Sequence, residues 1–332
     1  MGKLYNFFSG TDNRSGKGIS KSQVKKDKKM GSGYFFYLFR TRLGKISATN
    51  LIFTLCNIPI ILFLIGITGM FDPEVAAPAS PLYSQIYGME MAGESSTVLS
   101  SLQGMLGFGT SVSVVSKTSE ILMYTAVLLV VTFGLSTVGM CYNFRSIVRG
   151  EPISSWSDFF PVIKKNFGIG LLISVLDAFM IVFIVYDLMA YHAGASASGS
   201  LLSLSSFYIV LFFGLIYFVM RYYIYLITIT FDIKFKKMLK NALYMTLLGW
   251  KRSLACIFSS AAIIFLNYLI YKAMPHFGIV LPFVATIGIV GFIGVYCTYP
   301  VIDEYMIKPY YKEHPEDLPE EDEVEPIFKD HG

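Results

Sequence analysis

The 332-residue chain is 54% apolar and 15% charged, with a formal net charge of +4 and a mean hydropathy of +0.56. A soluble protein of this length cannot hide that much apolar surface in one core, so the composition excludes a water-soluble globular fold and places the chain in a membrane. A helix needs about twenty consecutive apolar residues to cross the hydrocarbon, and six stretches qualify: 47–71, 120–142, 168–191, 207–231, 254–273 and 278–300.

The expected fold is therefore an all-α integral membrane protein. Six transmembrane helices form one domain over residues 46–310, with short amphipathic cytoplasmic helices between spans two and three and between spans four and five. Residues 1–45 carry eleven Lys or Arg with Gly and Ser among them, a composition that predicts a disordered cytoplasmic arm able to lie on anionic lipid. The same charges also serve simply to fix topology. No small-residue cleavage site follows near residue 25, so a cleaved signal peptide is not expected. The first span has Asn57 and Pro59 at its middle, and proline removes a backbone hydrogen bond and kinks a helix. Residues 72–119 form a long outward loop whose first third, with Pro73, Pro78 and Pro81, is not expected to be regular. It reads either as a recognition loop or as an insertion without chemistry.

Between spans two and three, Trp156, Phe159, Phe160, Ile163 and Phe167 fall at i, i+3, i+4, i+7 and i+11, the period of an amphipathic helix. Ser155 with Asp158 three residues later fits a capping box, and Pro161 requires the helix to begin or bend near it. Such a stripe suits the headgroup layer, and equally a groove on a partner protein. A second stripe runs through Phe235, Met238, Leu239, Ala242, Leu243 and Thr246 to Gly249. The segments FPVIKKN (160–166) and FKKMLKN (235–241) make a faint repeat, each lying between an inward-running and an outward-running span. Lys and Arg concentrate in the arm, in 143–167 (four) and in 232–253 (six), whereas 72–119 has one, which predicts both termini on the cytoplasmic side of a plasma membrane. Residues 311–332 form an acidic, Pro-punctuated tail.

Chemistry is sparse. The four histidines sit singly, and the chain contains no phosphate-binding loop, dinucleotide fingerprint, zinc-protease or serine-hydrolase motif. No enzyme, cofactor, metal or nucleic-acid partner is expected, and the four cysteines read as free, packed thiols. The informative exceptions are polar residues within spans, Asp177, Arg221, Asn57 and Asn267. Asp177 lies nine residues past Gly168, about 13 Å deep, and Arg221 eleven residues before Asp232, about 16 Å from the same face at 1.5 Å per residue. The matching depths predict an Asp177–Arg221 contact between spans three and four. That contact would either lock two helices together or form a proton or substrate site, and Arg221 has the alternative of snorkelling to the interface.

The segments FGLSTVGMCYNFRSIVRGE (133–151), WSDFFPVIKKNF (156–167) and FDIKFKKMLKNAL (231–243), with CNIPIILFLIG of the first span, resemble the YesL-like family, domain of unknown function 624, over approximately 44–310. The resemblance implies a polytopic bacterial membrane protein, often encoded beside carbohydrate ABC importers and polysaccharide-degrading enzymes. It brings no catalytic or binding residues, and the long 72–119 loop and the basic arm depart from the family's shorter pattern. The expected function is thus a non-enzymatic accessory to sugar uptake, with sugar ABC permease subunits and the lipid bilayer as partners. The alternative is a transporter or channel in its own right, with Asp177 and Arg221 lining the route.

Overall fold

A computed structural model describes residues 31–77, 97–98, 101 and 110–313. The arm up to residue 30, most of the 72–119 loop and the acidic tail beyond 313 lie outside the described residues. Among those described, five helices are long and apolar enough to cross a membrane, or up to six if one broken pair counts as a single span. Their outer faces carry exposed Phe, Leu, Val and Met side chains, for example Phe179, Val182 and Met189, a surface suited to hydrocarbon. The chain is a multi-pass, helical membrane protein.

The chain divides into two compact units, one formed by residues 57–132 and the other by the rest. In the larger unit the first helix, α1 (Ser32–Cys56), begins fourteen positions before the expected domain boundary, so the last part of the expected arm is helical. Helix α1 ends at Cys56 and the next, α2 (Ile58–Ile67), starts two residues later with Pro59 in its first turn. Proline is harmless there because the first N–H groups of a helix lack intrahelical partners anyway. The expected kink at Pro59 is thus a break at Asn57.

In the smaller unit, α2 packs on α3 (Lys117–Tyr124), where a Cβ on Gly66 would press on Leu122 and Ser119. Between them β1 (Glu74–Ala77) and β2 (Thr110–Ser113) pair antiparallel in the register Glu74↔Ser113 to Ala77↔Thr110. This ribbon corrects the expectation that the start of the outward loop is irregular: Pro73 and Pro78 flank β1 and leave its ladder intact. Asp72 holds the exit of the ribbon by accepting the Ser116 N–H at 2.9 Å, while the Ser116 hydroxyl caps α3 by accepting the Ser119 N–H.

Helix α4 (Ala126–Arg149), in the larger unit from Phe133 onward, leads through a turn to α5 (Phe159–Lys165) and α6 (Phe167–Ser198). The expected spans 168–191 and 207–231 leave 192–206 as their connection, but the link from α6 to α7 (Leu201–Thr230) is only Gly199 and Ser200. Gly199 sits at φ +62, a left-handed conformation that glycine adopts freely, and Ser200 caps α7. At 32 and 30 residues these helices measure about 48 and 45 Å, so they outrun a ~30 Å hydrocarbon layer. Helix α8 (Phe235–Leu248) buries Met238, Ala242, Met245 and Thr246, ends at Gly249 as expected and leads into α9 (Trp250–Ala273). The last span is α10 (Pro275–Leu281), a π turn (Pro282–Thr286), α11 (Ile287–Ile302), a second π turn (Asp303–Ile307) and α12 (Lys308–Glu313).

The stripe from Trp156 to Phe167 is not one helical face. Helix α5 covers only seven residues and stops at Asn166, so Trp156 lies in the preceding turn and Phe167 opens α6. Phe159 is fully buried, its ring against Gly139 where any Cβ would collide. Trp156 and Phe160 remain exposed, edge to face at 5.3 Å, Ile163 is partly buried against the core, and Phe167 is exposed. The expected capping box does not form: α5 starts at Phe159, its N-cap Asp158 makes no side-chain cap hydrogen bond and instead accepts the Ser154 N–H at 2.8 Å, while the carbonyl of Ser155 binds Asn143.

Hydrogen bonds from Ser116 and Ser119 hold the Asp72 carboxyl below its ordinary value, the backbone N–H of Ser116 first among them. A lowered folded-state value stabilises the turn above the unfolded carboxyl's range and is lost as pH falls through the folded value. Hydrogen-exchange protection of residues 113–120, referenced to an unstructured peptide, should therefore hold at neutral pH and fall below about pH 4. It should stay low at every pH in Asp72→Ala.

Candidate intramembrane site

The deepest polar cluster joins α6 and α7. Arg221 sits on α7 with Tyr217 and Tyr225 one turn to either side, at i−4 and i+4, so all three project from one stripe toward α6. Opposite them stands Asp177 of α6, its side chain 1% exposed. The guanidinium of Arg221 grips it in fork geometry, Nε donating to Oδ1 at 2.6 Å and Nη2 to Oδ2 at 2.6 Å. Tyr217 donates its hydroxyl to Oδ1 and Tyr225 to Oδ2, each at 2.7 Å. Both carboxylate oxygens are thereby shared between an arginine and a phenol.

The structure thus brings the depth-matched pair, Asp177 and Arg221, into direct contact, and Arg221 does not snorkel. An isolated ion in hydrocarbon is costly, and a bidentate pair with further hydrogen bonds on its lone pairs is the arrangement that offsets that cost. The ring of Phe133 on α4 lies 5.2 Å from the guanidinium carbon, adding an aromatic face to the cation. Helix α4 approaches α6 closely because residue 134 is glycine, whose absent Cβ leaves the place taken by Ser174; the Ser174 hydroxyl accepts the Gly134 N–H at 3.0 Å.

The other two polar candidates go elsewhere. Asn57 is buried in the 57–132 unit and accepts a hydrogen bond from Thr132 at 3.2 Å. Asn267, on α9, lines a cavity of about 330 Å³ whose wall also includes Arg221, Tyr222, Tyr225, Phe133 and Phe218. The reading from sequence did not single out Tyr217. Its signal was present as a Tyr-x3-Arg-x3-Tyr spacing that a helix turns into one polar edge within an otherwise apolar span.

One helix end and one π turn in this unit are closed by side chains from neighbouring helices. Arg145 Nη1 donates to the Ile229 carbonyl at 3.0 Å and the Thr230 hydroxyl at 2.9 Å, capping the C-terminus of α7. At the first π turn, Asn50 and Thr54 of α1 both donate to the Phe283 carbonyl, at 2.9 and 2.8 Å. Among the described residues no group of three or more His, Cys, Asp or Glu is placed to hold a metal ion, and the four cysteines are free thiols. The cluster offers a fixed dipolar joint rather than a set of groups converging on a reacting atom.

If the cluster acts as one unit, single substitutions leave a buried charge unpaired. Asp177→Asn or Arg221→Met should each destabilise the detergent-solubilised protein by about 3–5 kcal/mol, with the double variant costing less than the sum. Tyr217→Phe removes one hydrogen bond to a charged group, and should cost about 1.5–3 kcal/mol. Additive single and double effects, read from thermal unfolding, would show that the groups act separately.

Comparison with known proteins gives one family match. No curated protein and no solved structure is matched. The matching segment spans α3, α4, α5 and the first two-thirds of α6, and so contains Phe133, Gly134, Ser174 and Asp177. Residues 119–188 match the model of the family described as "Protein of unknown function, DUF624".

Proposed function

We propose that this protein is a non-enzymatic, multi-pass component of a bacterial plasma membrane that serves carbohydrate uptake of the ABC type as an accessory or regulatory subunit. The observation that carries the non-enzymatic part is the saturation of Asp177: a carboxylate holding an arginine fork and two phenols is occupied as a joint. The sugar-uptake part rests on the resemblance to the YesL-like members of the family. In this reading α1 and α2 together make the sixth span, and the Lys and Arg of 143–167 and 232–253 keep both termini cytoplasmic. Helices α5 and α8 then lie in the headgroup layer with their lysines toward water. The exposed Trp156–Phe160 pair is the surface best suited to a permease, since aromatic anchors dominate protein contacts.

A second reading, transport through the protein itself, draws on the cavity beside Arg221 and Asn267. Two measurements separate the readings. Under the first, purification in mild detergent recovers ABC permease subunits, Trp156→Ala with Phe160→Ala weakens that recovery about tenfold or more, and reconstituted protein alone moves no sugar. Under the second, proteoliposomes accumulate solute without any partner and Arg221→Met stops it. Absence of permease subunits from repeated purifications, with unchanged sugar uptake in a deletion strain, would dispose of the accessory role.

A further inference from the structure

We propose that the cavity beside Arg221 is a binding site for an uncharged amphiphile taken from the bilayer, a hydrocarbon chain that ends in an ester or hydroxyl oxygen. At about 330 Å³ the cavity lies at the lower end of the range for small-molecule sites. Its wall is built mainly from Phe53, Phe133, Met140, Phe218, Ile287 and Val290, which suit an alkyl chain.

Two donors break that apolar wall. The amide nitrogen of Asn267 is buried and has no hydrogen-bond partner among the described residues. Leaving such a group unmatched is costly, and an acceptor oxygen on a ligand removes the cost. Arg221 carries five N–H donors and spends those on Nε and one edge of Nη2 on Asp177, so a lining arginine still has donors to offer.

Charge decides what kind of acceptor fits. Asp177 already neutralises Arg221, and among the described residues no other Asp, Glu, Lys, Arg or His lines the cavity. A carboxylate or phosphate would bring in a negative charge with nothing to balance it, whereas an uncharged oxygen uses the donors without that cost. A sugar fails for the opposite reason: it has more hydroxyls than the few polar groups here can satisfy, so the rest would be desolvated unpaired.

The route of entry runs past Ile264. Ile264 lines the cavity and is 54% exposed on the outer surface of α9, midway between Trp250 and Ala273. That is the level at which acyl chains surround the protein, so the cavity is reached sideways from lipid. The site stands whether or not a permease partner exists, and its test does not involve one.

The full-length protein in nanodiscs should be photolabelled with a monoacylglycerol that carries a diazirine on its acyl chain, with the matching diazirine fatty acid as the anionic arm. The expected result is saturable labelling of peptides containing Phe218 and Ile264, with the fatty acid about tenfold weaker. Asn267→Leu should weaken labelling by about tenfold, the equivalent of one hydrogen bond. Ile264→Trp should block it while leaving the unfolding temperature unchanged, because the position is on the surface. Non-saturable labelling spread over the outer helix faces, or labelling indifferent to Ile264→Trp in a protein that still unfolds like wild type, would overturn the site. Equal labelling by the fatty acid would overturn the requirement for an uncharged end.

Discussion

A charge in hydrocarbon has no water to turn to, and the helical unit is arranged around that constraint. Asp177 satisfies it with an arginine and two tyrosines from a single helix, and this fixes how α6 and α7 face each other: a rotation of either would point the carboxylate or the Tyr217–Arg221–Tyr225 edge into lipid. Helix α4 is drawn into the same joint, with Phe133 over the guanidinium and Gly134 leaving the space for Ser174. The segment matched by the family spans this joint on the α4 and α6 side, while the residues that answer it on α7 lie outside the match.

The same accounting governs places where the backbone leaves the regular helix. A π turn or a helix end releases carbonyls that cannot remain unpaired away from water. Asn50 and Thr54 answer the Phe283 carbonyl, and Arg145 answers the end of α7. Arg145 therefore has a structural role beyond the positive charge it carries. Its side chain, only 8% exposed, is packed against the end of a neighbouring helix, with its guanidinium 5.0 Å from the ring centre of Tyr142.

How much of this the amino-acid sequence discloses depends on the range of the interaction. The span centres were readable because twenty apolar residues carry their own signal, and the Asp177–Arg221 meeting followed from counting residues at a fixed rise per turn. Span ends were less readable: α6 and α7 continue past the hydrocarbon to a two-residue turn, because helical hydrogen bonding does not stop where apolarity does. The 156–167 stripe had the right period and the wrong geometry, since Gly139 on another helix opens the socket that takes Phe159 inward and the chain breaks at Asn166. The β ribbon was hidden by prolines that turned out to flank it. The cavity could not be read at all, because its walls come from residues as far apart in sequence as Phe53 and Gly291.

The two-residue link at Gly199 and Ser200 leaves α6 and α7 no slack, so the two helices run back alongside each other as one hairpin. Asp177 and Arg221 stand at nearly the same distance from that link, so closing the hairpin brings the acid of one helix onto the base of the other. Either helix alone would carry an uncompensated charge at that level; the link sets which two residues share the cost of burial.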